Sequence, residues 1–257
     1  MAPPPPTVRL TWLGHSTTVV EVDGTCVLTD PVLRKRIAHL QRTVPLPAVV
    51  PVPDAVLLSH AHRDHFDVPT LRSLSKNAVV VVPRGLGTRL RRLGFDDVVE
   101  AVAGDEIDLG RVRVGVTPAD HAPGRGVRRA GAAPVGYLVR GSLTTYFAGD
   151  TDVFDEMNVL AGVADIALLP VSGWGPRVPE GHMDAARAAQ AAQRLAPRVA
   201  VPIHWGTFRP LYRREPYAED VEAPLLFARR VGELAPAVEV RVLAPGESFV
   251  LAAGPWA

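Results

Sequence analysis

Across its 257 residues the chain has one cysteine, Cys26, which excludes an intramolecular disulfide framework and any cysteine-cluster metal site. Net charge is nearly absent as well, with 28 Lys and Arg against 27 Asp and Glu, a formal +1. A general nucleic-acid binder gathers a basic excess on one face, so this balance argues against a polyanion partner. No stretch approaches the run of about 20 apolar residues that spans a bilayer. Aromatic residues make up only 6% of the chain, and no segment reads as an amphipathic surface anchor. The opening Met1 to Pro6 is a proline run with no basic segment and apolar core behind it, so it reads as an extended, disordered tail and not as a secretory signal. One free thiol and no such signal make a reducing cytoplasm the expected compartment.

What is present fits an ordinary globular protein: 47% hydrophobic and 21% charged residues exclude wholesale disorder, and the 25 prolines read as loop stiffening. Leu10 to Leu13, Thr17 to Val22 and Cys26 to Thr29 read as strands, separated by a Gly14-His15-Ser16 turn and an Asp23-Gly24 turn. Arg34 to Pro53 reads as a long polar loop, and Ala55 to Leu58 as a buried strand that runs straight into Ser59-His60. A helix capped by Asp67 is expected over Pro69 to Leu74. Strand and helix then alternate. Strands are expected at Ala78 to Val82, Val98 to Val102, Val112 to Val116, Gly136 to Val139, Leu143 to Ala148, Ile166 to Leu169 and Val199 to Ile203, with Val238 to Leu243 closing the chain; helices are expected at Gly85 to Leu93, Asp184 to Leu195 and Ala223 to Leu234. This is an α/β layered pattern. No break in it is long enough to mark a domain boundary, so residues 7–257 are expected to form one domain behind the 1–6 tail.

The eight histidines carry the chemistry. Ser59-His60-Ala61-His62-Arg63-Asp64-His65 sets three imidazoles and a carboxylate directly after an apolar strand, and these are the donors that zinc and related divalent ions prefer. On an extended turn His60 and His62 share a side, which leaves Asp64 and His65 for a second position. Further metal-competent side chains stand at other strand ends, where layered α/β folds gather their sites: His121, Asp150 in Gly149-Asp150-Thr151, and His204 in His204-Trp205-Gly206. His39 has no motif around it and reads as a solvated loop histidine.

In order and spacing these residues, from about Leu10 to Phe208, resemble the metallo-β-lactamase-fold hydrolases: His-x-His-x-Asp-His, a further histidine, an aspartate in a Gly-Asp-Thr turn, and a last histidine. Trp12-Leu13-Gly14-His15-Ser16-Thr17, Leu28-Thr29-Asp30-Pro31, Phe147-Ala148-Gly149-Asp150-Thr151 and His204-Trp205-Gly206-Thr207-Phe208 are similar to the N-acylphosphatidylethanolamine phospholipase D-like branch, with the ascorbate-6-phosphate lactonase-like group a more distant match. The Gly-His-Thr-Pro-Gly phrase of other members is replaced here by Thr117-Pro118-Ala119-Asp120-His121.

The resemblance implies a four-layer αββα sandwich and two divalent ions, zinc foremost, with manganese or iron as alternatives. His60, His62 and His121 would hold one ion, Asp64, His65 and His204 the other, and Asp150 would bridge them. A hydroxide between the ions would then attack an ester, with Asp64 or Asp150 either orienting it or acting as ligand alone. His182, in Gly181-His182-Met183-Asp184, reads either as a substrate contact and proton donor to the leaving group or as a helix-start residue. His15 reads either as a neighbour of the site touching substrate or as a turn-stabilising residue.

The function implied is hydrolysis of a phosphodiester or related ester of an anionic small molecule or lipid-derived substrate. The alternatives are a lactonase acting on a phosphorylated sugar lactone, or a non-hydrolytic iron-binding redox protein on the same scaffold. Arginines recur on the loops beside the ligands, at Arg125, Arg128 and Arg129, at Arg209, Arg213 and Arg214, and, with Lys35, at Arg34 and Arg36. Arg125 and Arg128 are expected to select an anion, and Trp174 offers one apolar contact.

Overall fold

The computed structural model describes residues 6–121, 132–173, 175 and 177–254. The first sheet is built from β1 (Thr7–Gly14), β2 (Thr17–Val22), β3 (Thr25–Thr29), β6 (Ala55–Leu57), β7 (Val79–Pro83), β8 (Val98–Ala101) and β17 (Ser248–Ala252), in the order β17-β1-β2-β3-β6-β7-β8. The second contains β9 (Glu106–Asp108), β10 (Arg113–Pro118), β11 (Val135–Arg140), β12 (Thr144–Phe147), β13 (Ile166–Pro170), β14 (Val199–Ile203) and β16 (Glu239–Val240), in the order β16-β14-β13-β12-β11-β10-β9. Both sheets are mixed: β3, β6, β7 and β8 run parallel in one, and β12, β13, β14 and β16 in the other.

Residue alternation shows how the layers form. In β6 Ala55 and Leu57 face the other sheet, while Val56 faces outward with Val80, Val82 and Leu71. In β13 Ile166 and Leu168 join that same inter-sheet core, while Ala167 and Leu169 face the opposite way. A strand covered on both faces must be apolar throughout, which is why these parallel strands read as unbroken hydrophobic runs. The outer face of the first sheet is covered by α1 (Val68–Ser73) and α2 (Gly87–Arg91), and that of the second by α3 (Ala185–Leu195) and α4 (Ala218–Leu234). The expected αββα layering is therefore present. Alanines at 185, 188, 189, 191 and 192 are buried along α3, small enough to let the helix lie close on its sheet. Asp67 and Asp184 cap α1 and α3 by accepting the backbone N–H groups of Thr70 and Arg187.

Several elements differ from expectation. The Arg34 to Pro53 stretch is not one polar loop. It contains β4 (Arg36–Ile37) and β5 (Leu40–Arg42), which form a small third sheet with the unanticipated β15 (Phe208–Pro210), and its Val44 to Pro53 portion has no charged side chain. The helix expected over Gly85 to Leu93 narrows to Gly87–Arg91, because Glu100 of β8 takes the N–H groups of Gly85 and Gly87. Helix α4 starts before the expected Ala223 and holds Pro224 inside it. Val238 to Leu243 does not close the chain as a strand: only Glu239 and Val240 pair with β14. The closing strand is β17, which crosses to the first sheet and pairs antiparallel with β1. The tail expected at 1–6 lies outside the described residues apart from Pro6, whose carbonyl accepts the Ala253 N–H. Among the described residues no helix is long and apolar enough to cross a membrane.

Leu10 of β1 is fully buried between the sheets. Leu10→Ala is expected to lower unfolding stability by about 2–5 kcal/mol in urea titrations; a loss below about 1 kcal/mol would contradict this packing.

Candidate metal centre

The strands set the site by where they stop. His15 turns between β1 and β2, Asp30 follows β3, and His60 to His65 follow β6. From the other sheet, His121 follows β10, Asp150 follows β12, His182 lies beyond β13, and His204 follows β14 directly. Most of these positions are the carboxyl ends of parallel strands, where α/β folds open a crevice.

Two sets of donors result. His60, His62, His121 and Asp150 form one and His15, Asp64, His65 and His204 the other, each with its ligand-grade atoms within 4.8 Å of one another. Asp150 faces both: its carboxylate lies 3.8 Å from His60 Nε2, 3.0 Å from His65 Nε2 and 3.3 Å from His204 Nε2. Asp64 faces His15, His65 and His204 at 3.4, 3.7 and 3.9 Å.

These side chains fit divalent ions. His60 Nε2 is buried and makes no hydrogen bond, although its Nδ1 lies 2.9 Å from Ser59 Oγ. His121 donates from Nδ1 to the Gly181 carbonyl at 2.7 Å, and His65 Nδ1 meets Asp30 Oδ2 at 2.6 Å. In each ring one nitrogen is held by the protein and the other is turned inward, the arrangement that orients a metal-binding imidazole.

Asp30 is a support to which the sequence pattern assigned no role, although it stands in one of the motifs. Oδ1 accepts the Ser59 N–H at 2.7 Å and Oδ2 accepts the Ser59 hydroxyl at 2.5 Å. One fully buried carboxylate therefore fixes both ends of the His60 to His65 segment. A local signal exists: Asp30 stands at a strand end before a proline, much as Asp150 stands at the end of β12. Thr207 is a second residue that sequence reasoning missed. Its hydroxyl accepts the His15 N–H at 2.6 Å, while the His204 N–H donates to the His15 carbonyl at 3.0 Å, so the two turns brace each other.

The backbone here is strained. His15, Asp30 and His204 have φ of 54°, 31° and 63°, a left-handed region that costs a non-glycine residue of order 1 kcal/mol or more. Gly149 is required sterically: at φ 63° a Cβ there would come within 2.7 Å of Ser59 Cβ, so only glycine lets the Asp150 turn close on the His60 turn.

Burial dominates the electrostatics. It holds His15 at about 3 and His121 at about 4, and keeps His60 well below the usual imidazole range and His62 below it. His65 is the exception. Burial opposes its charging, yet Asp150, Asp64 and Asp30 together raise its pKa well above the ordinary value. Burial opposes ionisation of Asp150 and Asp64 too, but the imidazoles around them, His204 and His65 for Asp150, His65 and His15 for Asp64, hold both well below the usual carboxylate range.

The structure brings together all the proposed ligands, and His15 and His182 with them. His15 is fully buried, with its ring 4.1 Å from that of His204. His182 Nε2 lies 3.3 Å from Asp150 Oδ2. His39 is exposed, and its carbonyl accepts the Leu211 N–H. Arg125, Arg128, Arg129 and Trp174 lie outside the described residues. Of the other arginines, Arg34 bonds the Arg36 carbonyl and faces Asp67 at 3.5 Å, Arg209 bonds the Arg213 carbonyl, and Arg213 lies 4.0 Å over the Tyr217 ring.

A family model for the beta-lactamase superfamily domain matches residues 25–205. A UPF0173 metal-dependent hydrolase of Methanopyrus kandleri is 34% identical over 248 residues, 94% of this chain and 99% of that one. A Mycobacterium tuberculosis protein (strain ATCC 25618 / H37Rv) is 34% identical over 240 residues, covering 86% of this chain. The chain spans 64% of that mycobacterial relative's length. Among solved structures, a metallo hydrolase from the hyperthermophilic archaeon Ignicoccus hospitalis is similar with a TM-score of 0.75 at 28% identity, over 96% of this chain and 100% of that one.

Two outcomes follow from the geometry and the charges. Asp30→Ala removes the acceptor of His65 Nδ1 and is expected to weaken metal affinity about 10–100-fold in chelator competition, with Asp30→Asn milder because it keeps an acceptor for Ser59; an unchanged affinity in both would remove Asp30 from the site. In metal-stripped protein, His15, His60, His62 and His121 have folded values below the 6.5 of the unfolded chain. As pH falls below 6.5 the unfolded chain takes up protons that the fold refuses, so stability is lost on acidification toward about 4. His65 and His182 are raised and change stability only above 6.5, while the buried carboxyls of Asp30 and Asp220, also raised, recover part of the loss on acidification but are two against four imidazoles. The urea midpoint of stripped protein is expected to drop between about pH 6.5 and about pH 4.5; a flat profile would contradict it.

Proposed function

The chain belongs to the beta-lactamase superfamily and, within it, to the UPF0173 metal-dependent hydrolases, and from that premise we propose that it is a binuclear metallohydrolase cleaving a phosphodiester or related ester of an anionic small molecule or lipid-derived substrate. The observation that carries this reading is the pair of donor sets that meet at the Asp150 carboxylate. His60, His62 and His121 would hold one ion, Asp64, His65 and His204 the other, and Asp150 both; zinc suits this nitrogen and oxygen set best. Bound ions there supply Lewis acidity and bring the pKa of a coordinated water toward neutrality.

The chain's own residues do the rest. Asp64 and Asp150 are carboxylates at neutral pH and can accept a hydrogen bond that orients the attacking water. Asp150, which faces the His182 ring at 3.3 Å, helps to raise the His182 pKa against burial. A protonated imidazole at that spot can hand its proton to the oxygen that leaves. His15, braced by Thr207, keeps Asp64 in place from beneath.

Elemental analysis is expected to give about two divalent ions per chain. A screen of phosphodiesters and lactones should find turnover that Asp64→Ala and His204→Ala reduce by about two orders of magnitude or more. Equal turnover in wild type and both variants would reject the reading, and tightly held iron with a visible absorption band would favour redox chemistry instead. His182→Ala should cost about 10²-fold in kcat for esters of weakly acidic alcohols and far less for p-nitrophenyl esters, whose leaving oxygen needs no proton. An equal loss for both would exclude proton donation by His182.

A further inference from the structure

A cavity of about 500 Å³ opens between Val171, Ser172 and Val178 beyond β13, the first turn of α3 and one face of α4. That is within the size range of small-molecule sites. The cavity meets the metal centre at one side chain: His182 lines it and also faces Asp150 at 3.3 Å. Its inner wall is mainly apolar, with Val171, Ala185 and Ala223 buried, Val178 and Leu226 half-buried, and the buried Ser172 the one polar side chain among them.

Helix α4 gives the cavity Glu219, Glu222, Ala223, Leu226 and Arg229, a spacing of three and four that defines one helical face. That face is acidic at its start, apolar in its middle and basic two turns on. At the rim Arg187 is already paired with Asp152, and Asp184 is engaged in capping the Arg187 N–H. Among the lining residues Arg177, Arg187 and Arg229 are matched in number by Asp184, Glu219 and Glu222, so the rim favours no net charge, and apolar burial is what remains to hold a bound group. The wall is also tied to the ligand loop: the buried Asp220 of α4 accepts the Gly206 N–H at 2.9 Å, two residues from His204.

We propose that this cavity receives the leaving group of the substrate and that this group is compact, apolar and uncharged, an aryl or branched alkyl alcohol. The inference rests on the hydrolytic reading of the centre. Water adds across the ester: its oxygen ends on the phosphorus or acyl carbon, the bond to the leaving oxygen breaks, and that oxygen takes up a proton at the cavity mouth, where His182 stands. The charged part of the substrate stays on the metal side, and the departing alcohol lies among Val171, Val178, Ala223 and Leu226.

The test uses the metal-loaded enzyme and two diesters, phenyl methyl phosphate and 4-tert-butylphenyl methyl phosphate, whose leaving phenols are matched in acidity and differ in bulk. Wild type is expected to prefer the bulkier ester by about tenfold in kcat/KM, carried by KM. Leu226→Trp, which fills the cavity, is expected to bring the ratio close to one with metal content retained. Val178→Trp, on the opposite wall, should do the same if the helix variant does not fold. Calorimetric titration with 4-tert-butylphenol should show binding to wild type and none to the filled variants. A preference that is absent in wild type, or that persists in both variants, would overturn the cavity assignment while leaving the hydrolytic reading intact. Absence of turnover with every ester would overturn that reading, and the leaving-group assignment with it.

Discussion

A carboxylate with 2% exposure, Asp150, is costly to bury unless positive charge or donors surround it, and everything functional in this molecule is arranged around that cost. His60 and His65 from one loop, and His182 and His204 from two others, all reach it. Such convergence is possible only because the strands of both sheets deliver their carboxyl ends to one edge of the sandwich. His65 stands between two buried carboxylates, Nε2 at 3.0 Å from Asp150 and Nδ1 at 2.6 Å from Asp30. The site is thus a chain of buried polar groups in which each member is tolerable because of the next, and its outermost links are a backbone N–H and a hydroxyl of Ser59.

The proposed ligands were legible in the sequence because they are chemically rare and sit at the ends of apolar runs. The inter-sheet core was legible for a similar reason: β6, β13 and β14 are apolar on both faces, and their boundaries fall within a residue or two of the observed strands. What escaped depended on pairing at a distance. Strands β9 and β15 are three residues each and exist because a neighbour offers an edge, not because of their own composition. Helix α4 hid its start because Pro224 resembles a helix beginning, whereas its real first turn carries Glu219 and Asp220. Asp30 is marked by its place at a strand end before a proline, but its partners, like those of Thr207, stand far away in the chain and cannot be read from a local pattern.

Strain and chemistry coincide. Of the residues with left-handed backbone, His15, Asp30 and His204 all belong to the centre or its support, and each is held there by hydrogen bonds from other turns. Glycine would relieve the backbone at these positions and delete the imidazole or carboxylate the centre uses. The fold therefore carries a local stability deficit that its large apolar interior offsets.

Strand β17 pairs with β1 along Thr7 to Thr11, so the first strand of the sheet takes as partners residues made some 240 positions after it. Until Ser248 to Ala252 emerge, β1 is an edge strand with unsatisfied backbone groups and an alternating apolar face, the kind of surface on which nascent chains mispair. The first sheet can nucleate early but cannot be sealed until translation of both sheets is nearly over. A truncation or a translational stall just before residue 248 would leave the loops of the proposed metal centre complete and the nascent fold sticky, a hazard that falls on the making of the protein and not on its chemistry.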